Sequence, residues 1–116
     1  MSIVTTSTRR RWDDSLKTLR EKYARLLAGN TCGIWGAGAK GATFCNLIDP
    51  NRELFQFVVD LTPEKIGKFI PGTGHRIVSY ESLRNVKSVL LMNPNYDSEN
   101  QMLLDEAGIK TRLIDA

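Results

Sequence analysis

Two cysteines and one histidine are all that this chain of 116 residues offers for disulfide or metal chemistry. Cys32 and Cys45 have neither the number nor the spacing of a zinc site or a disulfide framework, so each reads as a small buried apolar residue. HExxH and CxxC patterns are missing, and no Ser, Cys or carboxylate pair has a recognisable catalytic spacing. No apolar run approaches the roughly 18 to 20 residues that cross a bilayer. The first residues, MSIVTTSTRRRW, lack the apolar stretch and small-residue cleavage site of a secretory leader. A cytoplasmic protein without membrane contact is therefore expected. Internal repeats and low-complexity tracts are lacking too. What remains is 41% hydrophobic and 25% charged residues, a balance that excludes disordered, collagen-like and coiled-coil classes. The length suits one domain and is short for the two-domain body of most cofactor-dependent enzymes.

The net charge of +3 is unevenly placed. Residues 1–25 carry seven Lys or Arg against three Asp or Glu, a balance of +4 that leaves −1 for the rest. The run Arg9, Arg10, Arg11 is short and has no aromatic ladder beside it, so it reads as solvated surface rather than a nucleic-acid arm.

Periodicity organises the chain into residues 1–30, a tail and helix, and residues 31–116, one globular unit. Trp12, Leu16, Leu19, Tyr23, Leu26 and Leu27 recur at steps of three and four, with Lys17, Arg20, Glu21 and Arg25 opposite. This predicts an amphipathic helix, with residues 1–8 frayed, Asp13 and Asp14 at its positive end and Gly29–Asn30 as its stop. Thr31–Trp35 reads as a buried strand that breaks into GAGAKG. Ala39–Ile48 reads as a helix ended by Asp49 and Pro50, and Leu54–Asp60 as a second strand, giving a βαβ unit. Residues 61–76 carry three glycines and two prolines and read as a long loop, functional or mobile. Ile77–Val78 suits a brief edge strand and Tyr80–Arg84 a turn of helix. Val86–Met92 is a strand buried on both faces, closed by Asn93, Pro94 and Asn95. Ser98 with Gln101 fits a capping box, Met102, Leu103 and Ala107 the buried side of a helix ended by Gly108, and Lys110–Ile114 a last strand. Together these predict an α/β domain: a small, doubly wound, mostly parallel sheet of four to five strands, Rossmann-like, with an extra N-terminal amphipathic helix.

Gly36, Gly38 and Gly41 have the GxGxxG spacing in the context that gives it meaning, between a strand and a helix. Gly36 permits the sharp turn, Gly38 lets a phosphate approach the backbone, and Gly41 lets the helix pack closely. The bare amides of the helix start favour an anion, and Lys40 adds a mobile cation or is merely solvated. Asp60, 24 residues after Gly36, ends the second strand where a carboxylate meets ribose hydroxyls. The opposing reading keeps the glycines for packing alone, and Trp35 either stacks on a ligand or fills its space. His75, between Gly74 and Arg76, is expected to be exposed and incidental, with a general-base role the lesser alternative.

The segments IWGAGAKGATFCNLI, FVVDLTPEKIGKFIPGTGHRIVS and VLLMNPNYDSE resemble the C-terminal domain of SAM-dependent C-methyltransferases acting on nucleotide-linked deoxysugars. The resemblance runs from about Thr31 to Ile114. It rests on the glycine turn with Lys40 and Gly41, on Asn46, and on the stretch from Asp60 through Lys65, Gly67, Pro71 and Gly72. Asn95–Tyr96 resembles that family's Asn-aromatic segment, with Pro94 where Trp is common. A weaker likeness, through DLTPEKIG, is to the N-terminal domains of bacterial nucleotide-sugar acetyltransferases. The resemblance implies a reduced Rossmann fold that packs on a SAM-binding domain and helps enclose a nucleotide sugar. This chain would contribute no SAM site and no zinc domain of its own.

The expected function is thus a nucleotide-sugar (or nucleotide) binding accessory module, not catalytic alone, with a SAM-dependent methyltransferase domain or subunit as partner. The expected ligand contacts are Gly36, Ala37, Gly38, Ala39, Lys40, Gly41, Asp60, Lys65, Asn93, Asn95 and Tyr96, with no metal ligands. One alternative is an NAD(P)-binding oxidoreductase. Another is a protein-interaction module, dimerising through Trp12, Leu16 and Tyr23.

Overall fold

The computed structural model describes residues 6–27 and 31–115, with side chains from residue 14 onward. Helix α1 (Thr6–Leu26) leads into β1 (Cys32–Trp35), α2 (Ala39–Ile48), β2 (Phe57–Val59) and β3 (Arg76–Val78). After a 3₁₀ turn at Tyr80–Asn85 come β4 (Ser88–Leu91), α3 (Asp97–Ala107) and β5 (Arg112–Asp115). The five strands form one all-parallel sheet in the order β3-β2-β1-β4-β5. The predicted Rossmann-like α/β architecture with its leading helix is what the chain adopts.

Alternation along the strands builds two cores. Cys32, Ile34, Val58 and Leu90 turn to the face covered by α1 and α2, where they meet Cys45, Ile48 and Phe55. Trp35, Val59, Val89 and Leu91 turn to the face covered by α3, where they meet Leu83, Leu104 and Ile109. A strand buried on both faces has no polar side, so β1 and β4 read as continuous apolar runs. Both cysteines are free and fully buried. Burial pushes the Cys45 thiol up to about 11, helped by the nearby Asp49 carboxylate, so it is no nucleophile at neutral pH.

Several local expectations change. Residues 6–8, expected to fray, are already helical, so Asp14 lies in the interior of α1 and its first turn holds no acid. Of the expected apolar stripe, Leu16, Tyr23 and Leu27 pack inward, whereas Leu19 and Leu26 are 40% and 54% exposed. Arg20, assigned to the solvent face, donates from Nε and one Nη to the carbonyl of Leu47 at 2.9 and 2.7 Å. Its guanidinium thereby closes the C-terminal end of α2, where a cation is favoured. Tyr23, Phe44 and Phe55 meet edge-to-face with centroids 5.5 to 6.2 Å apart and fasten α1 to α2 and to the turn that precedes β2. The side chains of Trp12 and Asp13, the stop at Gly29–Asn30 and residues 1–5 lie outside the described residues. In α3, Ser98 sits inside the helix rather than capping it, and Met102 is 61% exposed. The inward face is formed by Leu104 and, one turn earlier, Asn100, with the expected Leu103 and Ala107 partly buried against the same core.

The long loop of residues 61–76 is tied down at several points. Ile70 and Gly74 close a turn through the bonds Ile70 N–H to His75 O and Gly74 N–H to Ile70 O. The Asn46 amide donates to the Pro71 carbonyl at 3.0 Å. His75, expected at the surface, is fully buried: its Nε2 donates to Asp49 at 2.9 Å and its Nδ1 faces the Thr73 hydroxyl at 2.6 Å. A general-base role for His75 is thereby withdrawn, since it is a strut between loop and α2.

Candidate ligand-binding site

In an open parallel sheet, ligands sit beyond the carboxyl ends of the strands where the winding reverses. Here the reversal lies between β1 and β4, whose ladder ends with the Met92 amide bonded to the Trp35 carbonyl at 3.1 Å. On the other side the Gly36 amide bonds the Val59 carbonyl at 2.8 Å. Beyond those two bonds the chains part, and a cavity of about 550 Å³ opens between them. That volume falls within the usual span for small-molecule sites.

The glycines of the turn do three different things. Gly36 has φ +128°, a left-handed conformation that a side chain resists. Gly38 caps α2 with φ −73°, and a Cβ there would project into open space. Gly41 presses its Cα against the carbonyl of Gly36, which a Cβ would overlap. Past the cap, the amides at the start of α2 have no carbonyl four residues back to bond, so they present partial positive charge to the cavity.

Of the expected contacts, Gly36, Gly38, Ala39, Lys40, Gly41, Asp60, Asn93 and Tyr96 all border this cavity. Ala37, Lys65 and Asn95 lie off its lining. The Asn95 amide instead bonds the Asn93 side chain at 3.2 Å in the turn after β4. Trp35 does not plug the hollow. Its indole is 6% exposed, packs among Val59, Leu91 and Leu104, and forms a wall of the cavity. Sequence reasoning missed Leu61, Thr62, Met92, Glu99 and Asn100 as lining residues. For Asn100 a signal existed, because it lies four residues before Leu104 and therefore on the inward face of the same helix.

Asp60 plays a part the spacing did not foretell. One carboxylate oxygen accepts from the Ala37 amide at 2.9 Å and the other from the Thr62 amide at 2.8 Å. The carboxylate thus braces the glycine turn and takes one of its amides. Burial acts to raise its pKa, but the Thr62 and Ala37 amides, the Thr62 hydroxyl and Lys65 together hold it below the usual 3.8. A lowered carboxylate stabilises the fold fully above its unfolded value, and this is lost as pH falls through the folded value. We therefore expect the urea midpoint of the wild type to fall more steeply below pH 3.8 than that of Asp60→Asn. Equal slopes in the two proteins would mean the brace carries no ionised form.

The profile of the C-methyltransferase C-terminal domain matches residues 2–111. The chain belongs to this family. The matched span takes in α1 and runs through β4 and α3 to the residue before β5, whereas the resemblance read from the motifs alone began near Thr31. No curated protein matches the chain. Within this C-methyltransferase C-terminal domain, no described helix is long and apolar enough to cross a membrane, and no three described His, Cys, Asp or Glu side chains gather as a metal site.

Proposed function

We propose that this C-methyltransferase C-terminal domain binds a nucleotide sugar, with the diphosphate at the start of α2, and presents it to a methyl-transferring domain. The observation that carries the reading is the cavity at the β1/β4 reversal, bordered by Gly38, the first residues of α2 and Lys40. A diphosphate there meets unpaired amides, the positive end of a helix and a mobile ammonium. Its place is on the α2 side, because the Asp60 carboxylate already holds the Ala37 amide and repels an anion from the β2 side.

The same brace weighs against the NAD(P) alternative, in which Asp60 would turn both oxygens to a ribose. The candidate acid or base, His75, is enclosed in the fold. The packing of Tyr23 and, in part, of Leu16 into the core also weighs against a dimer through Trp12, Leu16 and Tyr23.

Gly38→Val separates ligand from fold, since a Cβ there meets nothing within 4 Å and points into open space. We expect calorimetric titration with dTDP- or UDP-sugars to show affinity at least about tenfold weaker in the variant, or about 1.4 kcal/mol. The loss of the glycine cap should lower stability by no more than about 1 kcal/mol. Unchanged binding would remove the turn from the site.

A further inference from the structure

Asn100 is 6% exposed, borders the cavity, and its side-chain amide has no hydrogen-bond partner among the described residues. Among those residues no fully buried side-chain nitrogen or oxygen is left without a partner, so the Asn100 amide keeps its contact with the cavity. An inward helix position one turn before the fully buried Leu104 is otherwise a place for an apolar side chain. Donor and acceptor are thus both open to the cavity, where a ligand that supplies an acceptor and a donor side by side can pair with the two at once.

We propose that Asn100 reads the nucleobase of the bound ligand, pairing its carboxamide with a pyrimidine ring N–H and the adjacent carbonyl. The inference rests on the nucleotide-sugar reading above and fixes the direction of the ligand. Charge sets one end, because Lys40 and the α2 amides draw the diphosphate while Glu99, beside Asn100, repels it. The end at α3 must then be neutral. Its neighbour Trp35 offers an apolar wall on the α3 side, and Tyr96 a phenol ring at the rim, which suits a flat heterocycle. Chemistry sets the other end, since the sugar carbon that receives a methyl group must stay reachable from outside the cavity. A carboxamide presents donor and acceptor side by side in one plane, the arrangement by which asparagine reads base edges.

The test uses the whole chain with dTDP, its N3-methyl analogue, which lacks the ring N–H, and pyrophosphate. Wild type is expected to bind dTDP at least about tenfold more tightly than either of the others, the weight of one paired edge. In Asn100→Leu, which keeps the branching at Cγ but has neither donor nor acceptor, the preference for dTDP over the N3-methyl analogue should fall below about threefold. Asn100→Ala, which removes the acceptor and the donor together, should show the same fall and serves if the leucine variant does not fold. Gly38→Val should weaken dTDP and pyrophosphate alike. Equal wild-type affinity for dTDP and its N3-methyl analogue, or a preference preserved in both Asn100 variants, overturns the inference and leaves the proposed function standing. Absence of binding by dTDP, its analogue and pyrophosphate overturns both.

Discussion

Gly41→Ala is expected to destabilise the domain by about 3 kcal/mol or more, the upper range for overpacking a filled site. The Cβ of an alanine at this position would overlap the carbonyl oxygen and carbon of Gly36, with Met92 Cγ next at 3.6 Å. These first obstacles are backbone, so no side-chain rotation relieves them. Either α2 must lift from the end of β1 or the turn must open, and both movements strain the Asp60 brace on Ala37. Against a total stability of 5 to 15 kcal/mol for a typical domain, such a loss should lower the melting temperature by roughly 10 °C or more. Thermal unfolding followed by circular dichroism checks this. Gly38→Ala is the paired control, because its Cβ meets open space and φ is ordinary there. A change of less than about 1 kcal/mol is expected. Similar losses in the two variants would show that the turn's glycines share one packing role, and the phosphate reading of Gly38 would fall with that result.

The fold was legible because burial on both faces leaves an unmistakable trace. Ile34, Val58, Val59 and the run from Val89 to Met92 need no periodicity to read as strands once glycine and polar punctuation bounds them, as at Trp35–Gly36 and Met92–Asn93. Strand ends were less legible. Leu54 and Phe55 look like strand residues, yet they belong to the turn clamped by Asp49, and pairing starts at Phe57. On α1 the apolar periodicity overstated burial, because a helix packed on one neighbouring helix hides a narrow stripe and leaves Leu26 outside it.

Local pattern also reached the glycine turn, since each of its residues is defined by φ or by close approach to an immediate neighbour. Contacts made across long separations were out of reach. Nothing near His75 in the chain announces that its ring will be enclosed by Asp49, 26 residues earlier. The same applies to Asp60, where the rule linking a strand-ending carboxylate to ribose gave the right place and a different partner. A residue's position followed from periodicity, whereas its hydrogen bonds depended on which segments the sheet order brings together.

Asp49 carries the second large effect. Its side chain is 2% exposed and receives the amides of Glu53, Leu54 and Phe55 at 2.7, 3.0 and 2.9 Å, together with His75 Nε2 at 2.9 Å. A carboxylate offers lone pairs only, so the His75 nitrogen facing it must carry a hydrogen. On the far side, Thr73 Oγ1 takes the His75 main-chain amide at 3.3 Å and has its own proton to give to Nδ1. One acid thus closes the turn after α2 and pins the far end of the loop of residues 61–76. Asp49→Ala would leave the buried Phe55 amide and the fully buried ring without an acceptor, at about 1 to 3 kcal/mol for each orphaned group. We expect a loss of about 4 kcal/mol in all, and about half of that in Asp49→Asn, which keeps one acceptor oxygen. Freed at that end, the loop should also open locally before the sheet does, so trypsin should cut after Lys65 and Lys68 faster in the variants while the strands remain protected. A wild-type cleavage rate in Asp49→Ala, with stability within about 1 kcal/mol of wild type, would show that the clamp supports neither the turn nor the loop.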